Sequence, residues 1–214
     1  MSQQASLVPF GPGQTFDDLE TDTDLTTAAL ASLEGHEFEV EDYEAVSGAT
    51  PVARRTGFVR RYRVVRNVSG VSLVAGSTSP LLVEFATTAG NYGRRIIGYN
   101  ATLARKCYPI DDRLTATVTN NYLFLICVGG PHLCQTHPVG DGTNVIAVGE
   151  KIVGETAAAS TFSTTAGRIV PITLSGATTA LASQIMGYVG HALTARTTAN
   201  TNTNTLVLIE HRWP

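Results

Sequence analysis

A chain of 214 residues in which only 15% are charged has room for one sizeable core and is cramped for a two-domain enzyme. That charge content is well below the roughly 25% of an average soluble protein, and it suggests either a surface much of which is covered by partners or a monomer coated in Thr and Ser. The net charge of −3 hides an asymmetry: residues 1–44 carry eleven acids and no Lys or Arg, and the remainder holds all fifteen basic residues against seven acids.

Opposite charge blocks attract each other within a subunit or steer assembly between subunits, and the composition leaves both open. The acidic start would repel phosphate, so direct nucleic-acid binding is not expected. Three cysteines, Cys107, Cys127 and Cys134, are too few and too odd in number for a disulfide framework, so reduced thiols and folding in a cytoplasm are expected. The start MSQQASLVPFGPGQTF lacks the basic residues and apolar run of a signal peptide. The apolar run Tyr122 to Val128 is far short of membrane-spanning length.

Pro9, Gly11, Pro12 and Gly13 predict an irregular, extended N-terminal arm. One short helix follows, with Asp24 as its cap, Leu25, Ala28, Ala29 and Leu33 on one face and Gly35 at its end. The period then changes to two at Phe38 and Val40. Residues 1–50 are expected to form this acidic arm, and residues 51–214 a β domain.

Beyond residue 50, β-rich runs alternate with turn signals: GFVRRYRVVRNV, VSLVAG, PLLVEFAT, RRIIGYNATLA, LTATVT, YLFLICV, NVIAVG, EKIVGETA, GRIVPITL, MGYVGHALTA and TLVLIEHRW. Many short strands with almost no helical pattern predict a mainly β fold, a small barrel or sandwich. Prolines fall mainly at the edges of these runs, where a missing amide donor does little harm. The Thr-Asn tract from Thr197 to Thr205 is expected to be a hairpin loop. Leu206, Leu208 and Trp213 after it are expected to face the core or a neighbouring subunit.

The stretch CVGGPHLCQTHP gathers Cys127, His132, Cys134 and His137, ligand types that zinc accepts. Its spacing fits no standard finger, and Pro131 and Pro138 mark it as a loop, so no metal and no other cofactor is expected. There is no G-x-S-x-G elbow and no phosphate loop. The carboxylate pairs Asp17-Asp18 and Asp111-Asp112 are expected to be solvated turn residues, and histidines in strands to be hydrogen-bonded structural ones. An enzyme is not expected. Arg60, Arg61 and Arg63 lie in a basic strand whose arginines cannot all project to one face, which points to protein contact, including contact with an acidic segment of this or another subunit.

The C-terminal part, approximately residues 140–214, resembles tailed-phage head decoration, or cement, proteins. The resemblance rests on NVIAVGEKIVGETAAASTF, on IMGYVGHALTA, and on a polar loop followed by TLVLIEHRW. It implies a β-tulip-like barrel on the outer surface of a virion capsid, associating as a homotrimer, with the major capsid protein and its own copies as partners. In that setting the arm residues Leu7, Val8, Pro9, Phe10 and Phe16 would contact the capsid, since an apolar, Pro-fixed segment loses little entropy on docking. The acidic segment and the β-rich stretch from Gly57 to Val128 depart from the shortest members. They leave as an alternative a virion attachment or carbohydrate-binding module of a spike, fibre or tail.

Overall fold

The computed structural model describes residues 33–45, 53–76, 78–99, 106–136, 145–154, 167–172, 185, 187–196 and 204–210. Leu7, Val8, Pro9, Phe10, Phe16, the helix expected from Asp24, His137 and Trp213 lie outside them. Within the described residues the chain is mainly β with almost no helix. Its strands are β1 (Glu37–Ala45), β2 (Ala53–Asn67), β3 (Leu82–Phe85), β4 (Arg95–Tyr99), β5 (Cys107–Pro109), β6 (Leu123–Gln135), β7 (Lys151–Gly154), β8 (Ile169–Pro171), β9 (Tyr188–Ala192) and β10 (Asn204–Ile209). They form one open sheet in the order β5-β3-β4-β2-β6-β10-β9-β7-β8, with β1 paired to β2 off this path.

β6 organises the molecule because it changes partner midway. Leu123 to Gly129 pair with β2, and Gly130 to Gln135 pair with β10. Period-two alternation on β2 and β6 then feeds two cores. Tyr62, Val64, Leu123, Leu125 and Cys127 join one cluster with Phe38, Val207 and Ile209, and Val65, Phe124, Ile126 and Val128 join another with Phe85 and Ile110. Burial on both faces is why Tyr122 to Val128 is a continuous apolar run rather than an alternating one. Single bridges return both ends of the path to this centre, Ile110 to Ile126 and Thr136 to Ile169.

The partner change corrects the loop expected in CVGGPHLCQTHP after the YLFLICV strand, because the strand continues from Gly129 to Gln135. Pro131 and the two glycines look like breakers, yet they sit where the ladder is already irregular. The register slips so that Arg61 faces Gly129 and Tyr62 faces Cys127, which leaves Val128 as the extra residue of a bulge. Gly130 follows with a φ of 91°, a value that favours glycine.

β1 lies inside the segment expected as the arm, and it is hydrogen-bonded into the sheet with Phe38 and Val40 turned to the core. At the other end of the chain the inward residues of β10 are Val207 and Ile209, buried in the core, whereas Leu206 and Leu208 are half-buried on the opposite face. Val207 and Ile209 fill the core alternative expected for those two leucines, and the face that carries Leu206 and Leu208 is the one the subunit-interface alternative requires. Asn204 and Thr205, expected in the polar loop, belong to β10, and Thr205 is buried opposite Cys134.

Candidate functional site

Among the described residues, Glu34, Glu37 and Glu39 of the acidic block meet arginines of this same chain. In the β1–β2 register Glu37 faces Arg63 and Glu39 faces Arg61, and both pairs close as ion pairs, Arg61 to Glu39 at 2.6 Å. Arg63 is buried and also donates to the Gly93 carbonyl at 2.9 Å. One turn earlier, Glu34 receives Arg66 and Arg95, each at 2.8 Å. Burial opposes ionisation of Glu34, but these two guanidinium groups hold its carboxyl below the ordinary value.

Arg60 projects to the other face of β2 and builds the densest polar cluster. Its Nη1 reaches both oxygens of Asp112, at 3.0 and 3.2 Å, and the Tyr62 hydroxyl at 3.4 Å. Asp112 belongs to the turn after β5, next to Asp111, whose carboxylate is held by Arg113 through bonds of 3.1 and 3.0 Å. The Arg113 guanidinium lies 4.7 Å from the centre of the Tyr62 ring. His132 on β6 completes the cluster, fully buried. Its Nε2 accepts the Asp112 backbone N–H at 3.1 Å, so its proton sits on Nδ1, 2.6 Å from the Leu133 carbonyl.

Burial holds His132 neutral against the pull of Asp112 and Asp111. Burial pushes Asp112 the other way, and His132, Arg60, the Leu133 amide and Arg113 more than offset it, so its carboxyl titrates below the usual range. The expected solvated turn at Asp111-Asp112 is thereby corrected: Asp111 is 1% exposed. Nothing in the local sequence signals this, because the compensating Arg60 is 52 residues away.

Asp111, Asp112 and His132 offer ligand atoms within 4.8 Å of one another. Each of the three groups is already held within the chain: Asp111 by Arg113, Asp112 by Arg60, and Nε2 by a backbone amide. The arrangement is a clasp between β2, the 111–113 turn and β6, closed by its own charges. Cys127 and Cys134 do not join it as ligands. Cys127 donates to the Gly129 carbonyl at 3.2 Å, and burial raises both thiols well above the ordinary value.

A smaller polar group ties β9 to β10. The Tyr188 hydroxyl donates to Glu210 and lies 2.7 Å from His191 Nδ1, which is itself 3.1 Å from Glu210. This is a hydrogen-bonded strand histidine, half-exposed. Of the residues predicted to act, Arg60, Arg61 and Arg63 are thus committed to acids of this chain, and Leu206 and Leu208 lie on the outer side of β10.

No family model matches the chain, and neither the curated proteins nor the solved structures contain a match to it. Among the described residues no helix is long and apolar enough to cross a membrane.

Proposed function

We propose that this protein is a structural virion component that binds the outer surface of a phage capsid and stabilises it by bridging neighbouring capsomers. The observation that carries the reading is the β1–β2 ribbon. β2 runs from Ala53 to Asn67, but β6 pairs with it only from Arg61 onward and β4 only from Arg66. The first half of β2 therefore extends past the body of the sheet with β1 alongside, and it presents Phe58 and Val59 at 44% and 43% exposure.

A ribbon of this kind suits adhesion. Its backbone is ordered before contact, so docking loses less entropy than ordering a free segment, and at its base Arg61 and Arg63 are already paired with Glu39 and Glu37. Phe58 and Val59 supply apolar area at about 25 cal/mol per Å² removed from water. One such contact is modest, but binding only the assembled shell adds to the stability of that state, and repetition over a lattice multiplies it. The partners in this reading are the major capsid protein and further copies of the chain as a homotrimer.

The test is sedimentation of purified protein with capsids assembled from the major capsid protein of the same genome. Saturable co-sedimentation and a higher capsid disruption temperature are expected, both weakened by Phe58→Ser with Val59→Ser. Protein that stays at the top of the gradient would overturn the reading.

A further inference from the structure

The clasp sits at the base of the ribbon. Arg60 is the last β2 residue before β6 pairing begins, and Gly130 packs against the Val59 carbonyl. Asp112 joins the two sides there: its carboxylate holds Arg60 on β2 and accepts the Leu133 N–H on β6 at 3.3 Å. Its own amide is held by His132 Nε2, and that same nitrogen lies 3.7 Å from Asp112 Oδ1.

We infer that this cluster is an acid-operated clasp, in which protonation of His132 draws the Asp112 carboxylate away from Arg60 and loosens the base of the β1–β2 ribbon. The proton can enter only at Nε2, because Nδ1 already carries one toward Leu133. Once protonated, Nε2 no longer accepts the Asp112 amide and becomes a donor aimed at Asp112 Oδ1. An imidazolium with no solvent exposure needs a counter-charge, and the nearest carboxylate is the one Arg60 now uses.

Among the described residues, the other groups around it are already engaged or neutral. From the 111–113 turn, Asp111 is held by Arg113. From β2, Arg60 adds a positive charge and burial keeps the Tyr62 phenol protonated. From β6, Cys127 and Cys134 are neutral thiols, and the β10 residue opposite His132 is Val207. The inference stands on this geometry and is independent of the capsid reading.

Hydrogen exchange of the full chain, corrected for intrinsic rates, tests it. Between the ordinary histidine value of 6.5 and the lowered value in the clasp, the opening constant at residues 59–62 is expected to rise about tenfold per pH unit, with β9 and β10 unchanged. His132→Gln, whose side-chain oxygen can still accept the Asp112 amide, should remove that dependence, and Asp112→Asn should loosen the ribbon base already at neutral pH. Acid loosening that persists in His132→Gln, or that spreads equally to β9 and β10, would overturn the clasp. If His132→Gln does not fold, the wild-type imidazole spectrum decides: His132 must titrate together with a change at the Arg60 guanidinium, and titration without that change refutes the mechanism.

Discussion

Replacing Gly130 by Ala tests how closely β6 and the ribbon base are locked. A Cβ at that position would lie 2.2 Å from the Val59 carbonyl oxygen, 2.9 Å from Arg60 Cα and 3.0 Å from the Val59 carbonyl carbon. All three atoms are backbone, so no side-chain rotation relieves the overlap and β2 itself must move. The φ of 91° adds a second cost. Left-handed backbone costs an alanine about 1–2 kcal/mol, and forcing extra volume into a packed site costs about 1–3 kcal/mol.

Gly149 separates the two effects, because its φ of 82° is similar while nothing lies within 4 Å of its added Cβ. Gly149→Ala should therefore lose about 1–2 kcal/mol from conformation alone, and Gly130→Ala about 2–5 kcal/mol. With a urea dependence of about 2 kcal/mol per molar, the unfolding midpoint should drop by about 0.5–1 M for Gly149→Ala and about 1–2.5 M for Gly130→Ala. Equal shifts for the two variants would refute the close approach of β6 to the Val59–Arg60 backbone.

The two ion pairs of the ribbon should differ sharply under alanine substitution. Arg63→Ala removes a buried guanidinium that binds part-buried Glu37 and the Gly93 carbonyl and should cost about 1.5–3 kcal/mol, whereas Arg61→Ala removes a pair that is 44% and 55% exposed and should fall within about 1 kcal/mol; chemical denaturation measures both. Cys107, whose thiol burial pushes up to about 12, Cys127 and Cys134 should all resist a thiol reagent in native buffer and react together only on unfolding, and rapid labelling of any one would contradict their burial. Acid should destabilise the fold in two stages. His132, held below 6.5, contributes stability that is complete above 6.5 and is lost as pH falls through its lowered value, and Glu34 and Asp112, held below 4.5 and 3.8, contribute stability lost as pH falls through theirs. Melting temperature against pH in wild type and His132→Gln resolves the first stage, which should be missing in the variant.

Much of the β content is legible in the sequence because alternation and turn residues are local signals. GFVRRYRVVRNV, PLLVEFAT, YLFLICV and TLVLIEHRW all contain strands, and Phe38 and Val40 mark β1 by period alone. VSLVAG, LTATVT and NVIAVG reach the same hydrophobic standard, yet they supply only bridge residues, Leu73, Val118 and Ile146, since strand formation needs a partner of matching length. β5 was the converse case: Cys107–Pro109 is too short to show a period, and its pairing with β3 makes it a strand. The reading of a loop after YLFLICV failed over Gly129 to Gln135 because Gly and Pro signal a break locally, whereas here a change of partner accommodates them. The phase of β10 is not legible locally because Leu206 to Ile209 is apolar at every position, and only the cross-strand neighbours decide which pair turns inward.

The site was less legible, for an electrostatic reason. A carboxylate beside a turn proline is ordinarily solvated, and what buries Asp111 and Asp112 is a pair of guanidinium groups, one of them contributed by β2. The two charge blocks were visible as blocks, but intramolecular and intersubunit pairing predict the same composition. The β1–β2 register resolves this for Glu37, Glu39, Arg61 and Arg63.

That resolution changes how attachment to a shell would respond to salt. Arg61 and Arg63 are paired with Glu39 and Glu37 at short range, so these four charges add little net field beside Phe58 and Val59. The acidic residues Asp17 to Asp24 would instead seek a basic rim and would be screened, as the Debye length falls from about 10 Å at 0.1 M salt to about 3 Å at 1 M. Capsid co-sedimentation measured across that range separates the two routes. Binding through the ribbon should hold or strengthen, because burial of apolar area does not depend on long-range charge and excluded salts favour it, and deletion of residues 1–24 should leave it in place. A steep loss of binding with salt, abolished by the same deletion, would move the attachment from the ribbon to the acidic segment that precedes it.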